Sequence, residues 1–223
     1  MEANKILVIA PHPDDETLGC GGSILKHVAE GDEVHWLIVT GMLEEYGWSS
    51  KDIKNRDIEI NKVANIYQFS KVHSLSLPSA HLDQINTVVL VSKVSEVLNS
   101  VRPGHVYMPF RFDVHSDHQI VANAVQSSIK PFRAPFINKV LMYETLSETG
   151  QNFIEGKPFI PNVFINIDNY IDQKVQIMSI YKSEVGEHPF PRSEKAIKAL
   201  SSLRGSQSNN KEAEAFELVF ECL

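Results

Sequence analysis

Short apolar runs recur along the chain, each cut off by a polar or turn-forming segment. Ile6-Leu7-Val8-Ile9-Ala10 shows no polar alternation, so it predicts a strand buried on both faces, stopped by Pro11. Val34–Val39 predicts a second strand, Val72–Leu77 a short third, and His105–Met108 a fourth that ends at Pro109. Lys139–Tyr143, Val163–Ile167 and Phe216–Phe220 complete the strand-like runs. Between them the period becomes helical. Helices are predicted from about Thr17 to Ala29, with Gly31 as the breaker, and over 51–67, where Ile53, Ile58, Ile60, Val63, Ala64 and Tyr67 recur. Further helices are predicted over Val88–Leu98, His118–Ile129 and Ile171–Tyr181.

Strands alternating with helices imply βαβ units, hence an α/β fold with a mostly parallel sheet and helices on both faces. No repeat, low-complexity tract or long linker divides the sequence, so residues 1–223 are read as one domain. Beyond about residue 145 the pattern loosens into a long loop, helices and the final strand. Such sheets gather ligands at the carboxyl ends of their strands, beside a topological switch point. The segments 11–16 and 109–117 each follow a strand end, and both are crowded with His and Asp.

Composition narrows the partners. The net charge is −7 and the basic residues are scattered, which argues against a phosphate backbone, since that needs a concentrated Lys/Arg surface. The only cysteines, Cys20 and Cys222, do not form a disulfide framework, so a reducing compartment is expected. The leading apolar run is too short for a secretory signal, and no stretch approaches the roughly 20 apolar residues of a membrane span. The expected location is the cytoplasm.

The first cluster reads His12-Pro13-Asp14-Asp15-Glu16. Three adjacent carboxylates beside a buried strand repel one another unless a cation compensates them. A local alternative is that one aspartate caps the following helix. The second cluster is Asp113-Val114-His115-Ser116-Asp117-His118. Two histidines at i and i+3 of a helix start lie within reach of one ion, or are plain polar loop residues. Together the clusters offer two His and one Asp with a position left for water, as in catalytic zinc sites; non-haem iron(II) accepts the same set. A carboxylate beside such a metal can take the proton of the attacking water.

These motifs resemble those of the PIG-L/LmbE-like zinc N-deacetylases. So do Arg56-Asp57-Ile58-Glu59 followed by Ala64, Tyr181-Lys182-Ser183, Arg204-Gly205-Ser206-Gln207 and Ala213-Glu214-Ala215-Phe216, so the resemblance spans most of the chain. It implies a Rossmann-like three-layer sandwich in which His12, Asp15 and His118 bind zinc and Asp14 is the general base. It further implies that His115 is a protonated partner for the oxyanion, oriented by Asp117. The implied substrate is an N-acetylated amino sugar or a glycoconjugate built from one, and a homo-oligomer is the implied assembly.

Arg56 resembles a substrate-contacting arginine, with a solvated helix charge as the alternative. Tyr46 and Trp48, in a loop where the family often has glycines, are read as packing or as stacking platforms for a sugar. Gly19, Gly21 and Gly22 follow the acidic motif rather than the strand, so close helix packing explains them better than a dinucleotide fingerprint. His27, His35, His73, His81, His105 and His188 are read as structural. Two rival functions share these residues: a catalytically silent carbohydrate-binding protein of the same fold, and a non-haem iron oxygenase. The oxygenase usually places His-x-Asp on barrel strands, whereas here His-x-x-Asp sits at a strand-to-helix turn.

Overall fold

The computed structural model describes residues 3–151, 153 and 157–222. Five strands run parallel: β1 (Lys5–Ala10), β2 (Glu33–Gly41), β3 (Lys71–Pro78), β4 (His105–Pro109) and β5 (Lys139–Tyr143). They are joined by helices α1 (Asp15–Ala29), α2 (Ser50–Tyr67), α3 (Thr87–Val101) and α4 (Ser116–Ser128). After β5 come β6 (Val163–Asn166), α5 (Ile171–Met178), α6 (Glu194–Gln207) and β7 (Ala213–Glu221). The sheet order is β3-β2-β1-β4-β5-β7-β6, and β7 pairs antiparallel with both of its neighbours. The fold is therefore the expected mostly parallel α/β sandwich.

The lack of alternation in β1 has the physical cause expected of it. Ile6, Val8 and Ala10 face a core that includes Leu18, Tyr67, Met178 and Ile197 from the helices on one side. Leu7 and Ile9 face Leu90, Val94, Val121 and Val125 of α3 and α4 on the other. Each face must be apolar because each is covered.

Boundaries differ from expectation where local signals are weak. α4 begins at Ser116 rather than 118, because the His115 side chain caps it by accepting the Asp117 N–H. α5 stops at Met178, and β7 starts three residues before the expected strand. The long first helix is broken at Cys20, whose φ and ψ are −145° and 25°. Glu214 of β7 closes the break. Its carboxylate accepts the N–H groups of Gly22 (2.8 Å) and Ser23 (2.7 Å), while Lys174 Nζ donates to Leu18 O (2.9 Å) and to Glu214 Oε1 (2.6 Å). The glycines around the break pack closely, as the sequence implied. A Cβ on Gly19 would lie 2.2 Å from the Tyr143 ring, and one on Gly22 would lie 2.7 Å from Ile167.

Candidate active site

Strand β1 is the switch point: the chain moves to β2 and β3 on one side of it, then to β4 on the other. The turns leaving β1 and β4 therefore meet, although 105 positions separate His12 from Asp117. Asp15 Oδ2 lies 3.3 Å from His12 Nδ1 and 3.3 Å from His118 Nε2. The ligand atoms of these three residues all lie within 4.8 Å of one another. Tetrahedral ligands about 2.1 Å from a zinc ion stand about 3.4 Å apart, so the donor set fits such a cation.

The far nitrogen of each imidazole is also held. His12 Nε2 lies 3.0 Å from Asp117 Oδ2, and His118 Nδ1 lies 2.8 Å from Asp113 Oδ2, with both carboxylates fully buried. Asp117 in turn accepts the Ala80 N–H (2.7 Å), and Asp113 accepts the Thr149 hydroxyl (2.6 Å). A carboxylate behind a histidine fixes which ring nitrogen faces a metal. Burial opposes charge on both rings, but the carboxylates outweigh it. Asp117 and Asp15 carry His12 up to about 9, and Asp15 and Asp113 hold His118 well above the usual histidine range. For Asp15, burial acts upward, yet His118 and His12 hold its carboxyl far below the ordinary value. The surrounding carboxylates thus favour positive charge on His12 and His118.

Asp14 has a φ of 146°, a conformation that costs a non-glycine residue about 1–3 kcal/mol. It is pinned there: its N–H donates to Glu16 Oε2 (3.0 Å), and its C=O accepts from Leu18 N–H (2.9 Å). Glu16 is itself fully buried, accepting from Thr17 (2.6 Å) and Tyr181 (2.8 Å). The Asp14 carboxylate receives Arg192 Nη1 at 3.0 Å. Burial, then Asp15 and Glu184, push its carboxyl well above the usual range, and Arg192 and His12 pull it back.

The hydrogen bond between Asp117 and His115 is the Asp117 N–H donating to His115 Nδ1 at 3.1 Å, while the carboxylate bonds His12. The His115 ring is also harder to protonate than an ordinary histidine. Burial, with His12 and His118 beside it, pushes its pKa down to about 4. With Nδ1 accepting, a neutral ring carries its proton on Nε2.

Arg56 is 6% exposed, so it is not a solvated helix charge. It donates to Pro13 O and to Ser183 Oγ (both 2.8 Å), pairs with Glu184, and lies 3.2 Å from Glu59. It thereby braces the β1–α1 turn while bordering the cavity. Trp48 also borders that cavity, whereas the Tyr46 ring packs on His81 at 4.7 Å. Sequence reasoning missed Arg192, Glu184 and the role of Asp113 behind His118. Some of the structural histidines do have partners: His27 bonds Asp32 and Tyr107, and His35 contacts Glu33 and His73.

The site opens into a cavity of about 480 Å³, a size suited to a small ligand. Apolar residues from β2, the following loop and α2 (Ile38, Met42, Leu43, Trp48, Ile53, Ile60) form part of its wall.

The family model of PIG-L, described as GlcNAc-PI de-N-acetylase, matches residues 7–129, more than half of the chain and both turns of the site. The chain belongs to the PIG-L family. Among PIG-L relatives, a diacetylchitobiose deacetylase of Thermococcus kodakarensis is 22% identical over 98% of this chain and 84% of its own. Among solved structures, a conserved protein of Thermus thermophilus superposes with a TM-score of 0.79 at 25% identity, covering 99% of this chain and 96% of that one. The 4-carboxy-2-hydroxymuconate hydratase of Pseudomonas putida superposes with a TM-score of 0.75 at 17% identity over 99% and 98% of the two chains. That likeness shows a shared fold, and a fold by itself does not name a reaction.

Proposed function

We propose that this PIG-L protein is a zinc-dependent N-deacetylase that releases acetate from an N-acetylated amino sugar or a glycoconjugate containing one. The observation that carries the reading is the convergence of His12, Asp15 and His118 on one point beside Asp14, at the floor of a cavity. His12 Nδ1, Asp15 Oδ2 and His118 Nε2 would hold the metal. When bound, zinc supplies an acidified water and polarises the acetamide carbonyl.

The protein's own groups account for the proton traffic. Asp14, whose carboxyl burial raises above the ordinary range, accepts a proton from the attacking water and returns it to the departing amine nitrogen. His115, neutral, donates from Nε2–H to the carbonyl oxygen as charge builds there, in place of the cation that the resemblance implied. Arg192 steers the Asp14 carboxylate, and Arg56 holds the turn that carries it. The pairing of β5, β7 and β6 in one sheet supports reading the chain as one domain.

The test is an acetate-release screen over N-acetylated sugars, with metal content measured on the same preparation. Iron(II) shares these ligand preferences, so zinc and iron loading are compared. Asp14→Asn is expected to retain metal and lose about 10²–10⁴-fold in kcat. Turnover at the wild-type rate removes Asp14 from the mechanism, and sugar binding by the zinc-loaded protein with no acetate released favours a silent binding protein.

A further inference from the structure

Granted the deacetylase reading, the charges around the cavity restrict what can be attached to the amino sugar. Two guanidiniums border the cavity, Arg56 and Arg192. Both are already committed. Arg56 pairs with Glu184 and Glu59, and Arg192 lies 3.0 Å from Asp14 and 3.3 Å from Glu184. No lysine borders the cavity among the described residues. Five carboxylates border it: Asp14, Asp15, Asp57, Glu148 and Glu184.

Asp57 and Glu148 differ from the other three. Among the described residues neither forms an ion pair, and the side-chain hydrogen bond recorded at Glu148 comes from the neutral Ser147 hydroxyl, at 3.1 Å. Asp57 stands on the exposed face of α2, whereas Glu148, in the segment after β5, lies within electrostatic reach of His118 and Asp15, so the two border the cavity from different elements. Neutral hydroxyls, among them Ser74, Ser76 and Ser79, also line the cavity. An anionic substituent would therefore meet five carboxylates against two guanidiniums that are already ion-paired, and like-charge juxtaposition rejects a ligand. An amine or hydroxyl would meet acceptors.

We infer that the substrate is an N-acetylated amino sugar whose attached group is neutral or cationic, read by Asp57 and Glu148, and that glycosides carrying a carboxylate or phosphate are rejected. The likeness to the hydratase does not extend to this property, since its named substrate is a carboxylate.

The experiment uses three matched glycosides of N-acetylglucosamine, bearing 2-aminoethyl, 2-hydroxyethyl or carboxymethyl groups at the anomeric oxygen. Binding to the metal-loaded protein is measured by calorimetry, and acetate release is followed in parallel. The inference expects aminoethyl to bind best and carboxymethyl to bind on the order of tenfold more weakly than hydroxyethyl, with the gap shrinking as salt rises. The double variant Asp57→Asn/Glu148→Gln is expected to close most of that gap. Equal constants for the three, a preference for carboxymethyl, or no binding by any of them overturns the inference. The expected order of binding without acetate release leaves the charge reading standing and overturns the deacetylase reading, so the two fail separately.

Discussion

Arg192 Nη1 lies 3.0 Å from Asp14 Oδ2, a contact across 178 positions that joins the segment before α6 to the turn after β1. Asp14 sits in a strained backbone conformation, and a carboxylate there without its guanidinium is free to turn toward other donors. Arg192→Met is therefore expected to lower kcat by about 10–100-fold, the scale of a misplaced catalytic group, with metal content unchanged. Steady-state acetate release and elemental analysis on one preparation check it. Loss of metal in this variant would instead place Arg192 in the support of the ligands.

Asp113 stands behind His118 at 2.8 Å and is anchored by Thr149. Asp113→Asn keeps the shape but removes the charge that fixes the ring. Zinc affinity, measured by chelator competition, is expected to fall about 10–100-fold. Thr149→Val, which leaves the carboxylate in place, is expected to lose less, and equal losses in both variants would point to a packing role.

Gly19 packs on Tyr143 with no room for a methyl group. Gly19→Ala is expected to destabilise the protein by about 1–3 kcal/mol, the usual cost of overpacking a core. Urea unfolding checks this, and an unchanged midpoint would mean that the ring moves aside at no cost.

Asp32 links the end of α1 to the start of β1 by accepting from His27 (2.7 Å) and from the Asn4 N–H (3.0 Å). Burial pushes its pKa up, but the bonds from His27 and Asn4 outweigh that and leave it below the ordinary 3.8. A lowered carboxyl contributes stability that is present above the unfolded value and lost as pH falls through the folded one. Asp32→Asn is thus expected to lower the melting temperature at pH 7, and the difference from wild type is expected to shrink as pH drops below about 4. A difference that persists well below that pH would assign the effect to shape rather than charge.

The sheet and the two His/Asp clusters were legible because their signals are local. Ile6–Ala10 carries its two-sided burial in five letters, and His12 and Asp15 share one turn. What the sequence hides depends on distant contacts. Asp117 stands two residues from His115, and nearness in the chain suggests a pair, but the helix start turns its carboxylate to His12 and leaves its N–H for His115. Arg192 belongs to a stretch with no periodic pattern, so nothing local marks it. The lowered pKa of His115 follows from burial beside two other imidazoles, which only the assembled site creates. The break at Cys20 lies between Gly19 and Gly21, a pair that speaks as readily for close packing as for a kink, and the carboxylate that closes it arrives from the last strand.

Two backbone ends inside a helix would normally need water, and here Glu214 and Lys174 stand in for it. The final strand is thus a stopper for the opening helix, and the turn that carries His12 and Asp15 inherits its footing from residues nearly two hundred positions downstream. A shortened protein that keeps both His/Asp clusters but lacks the last strand would leave that helix uncorked, so the half that bears the clusters is not a portable unit.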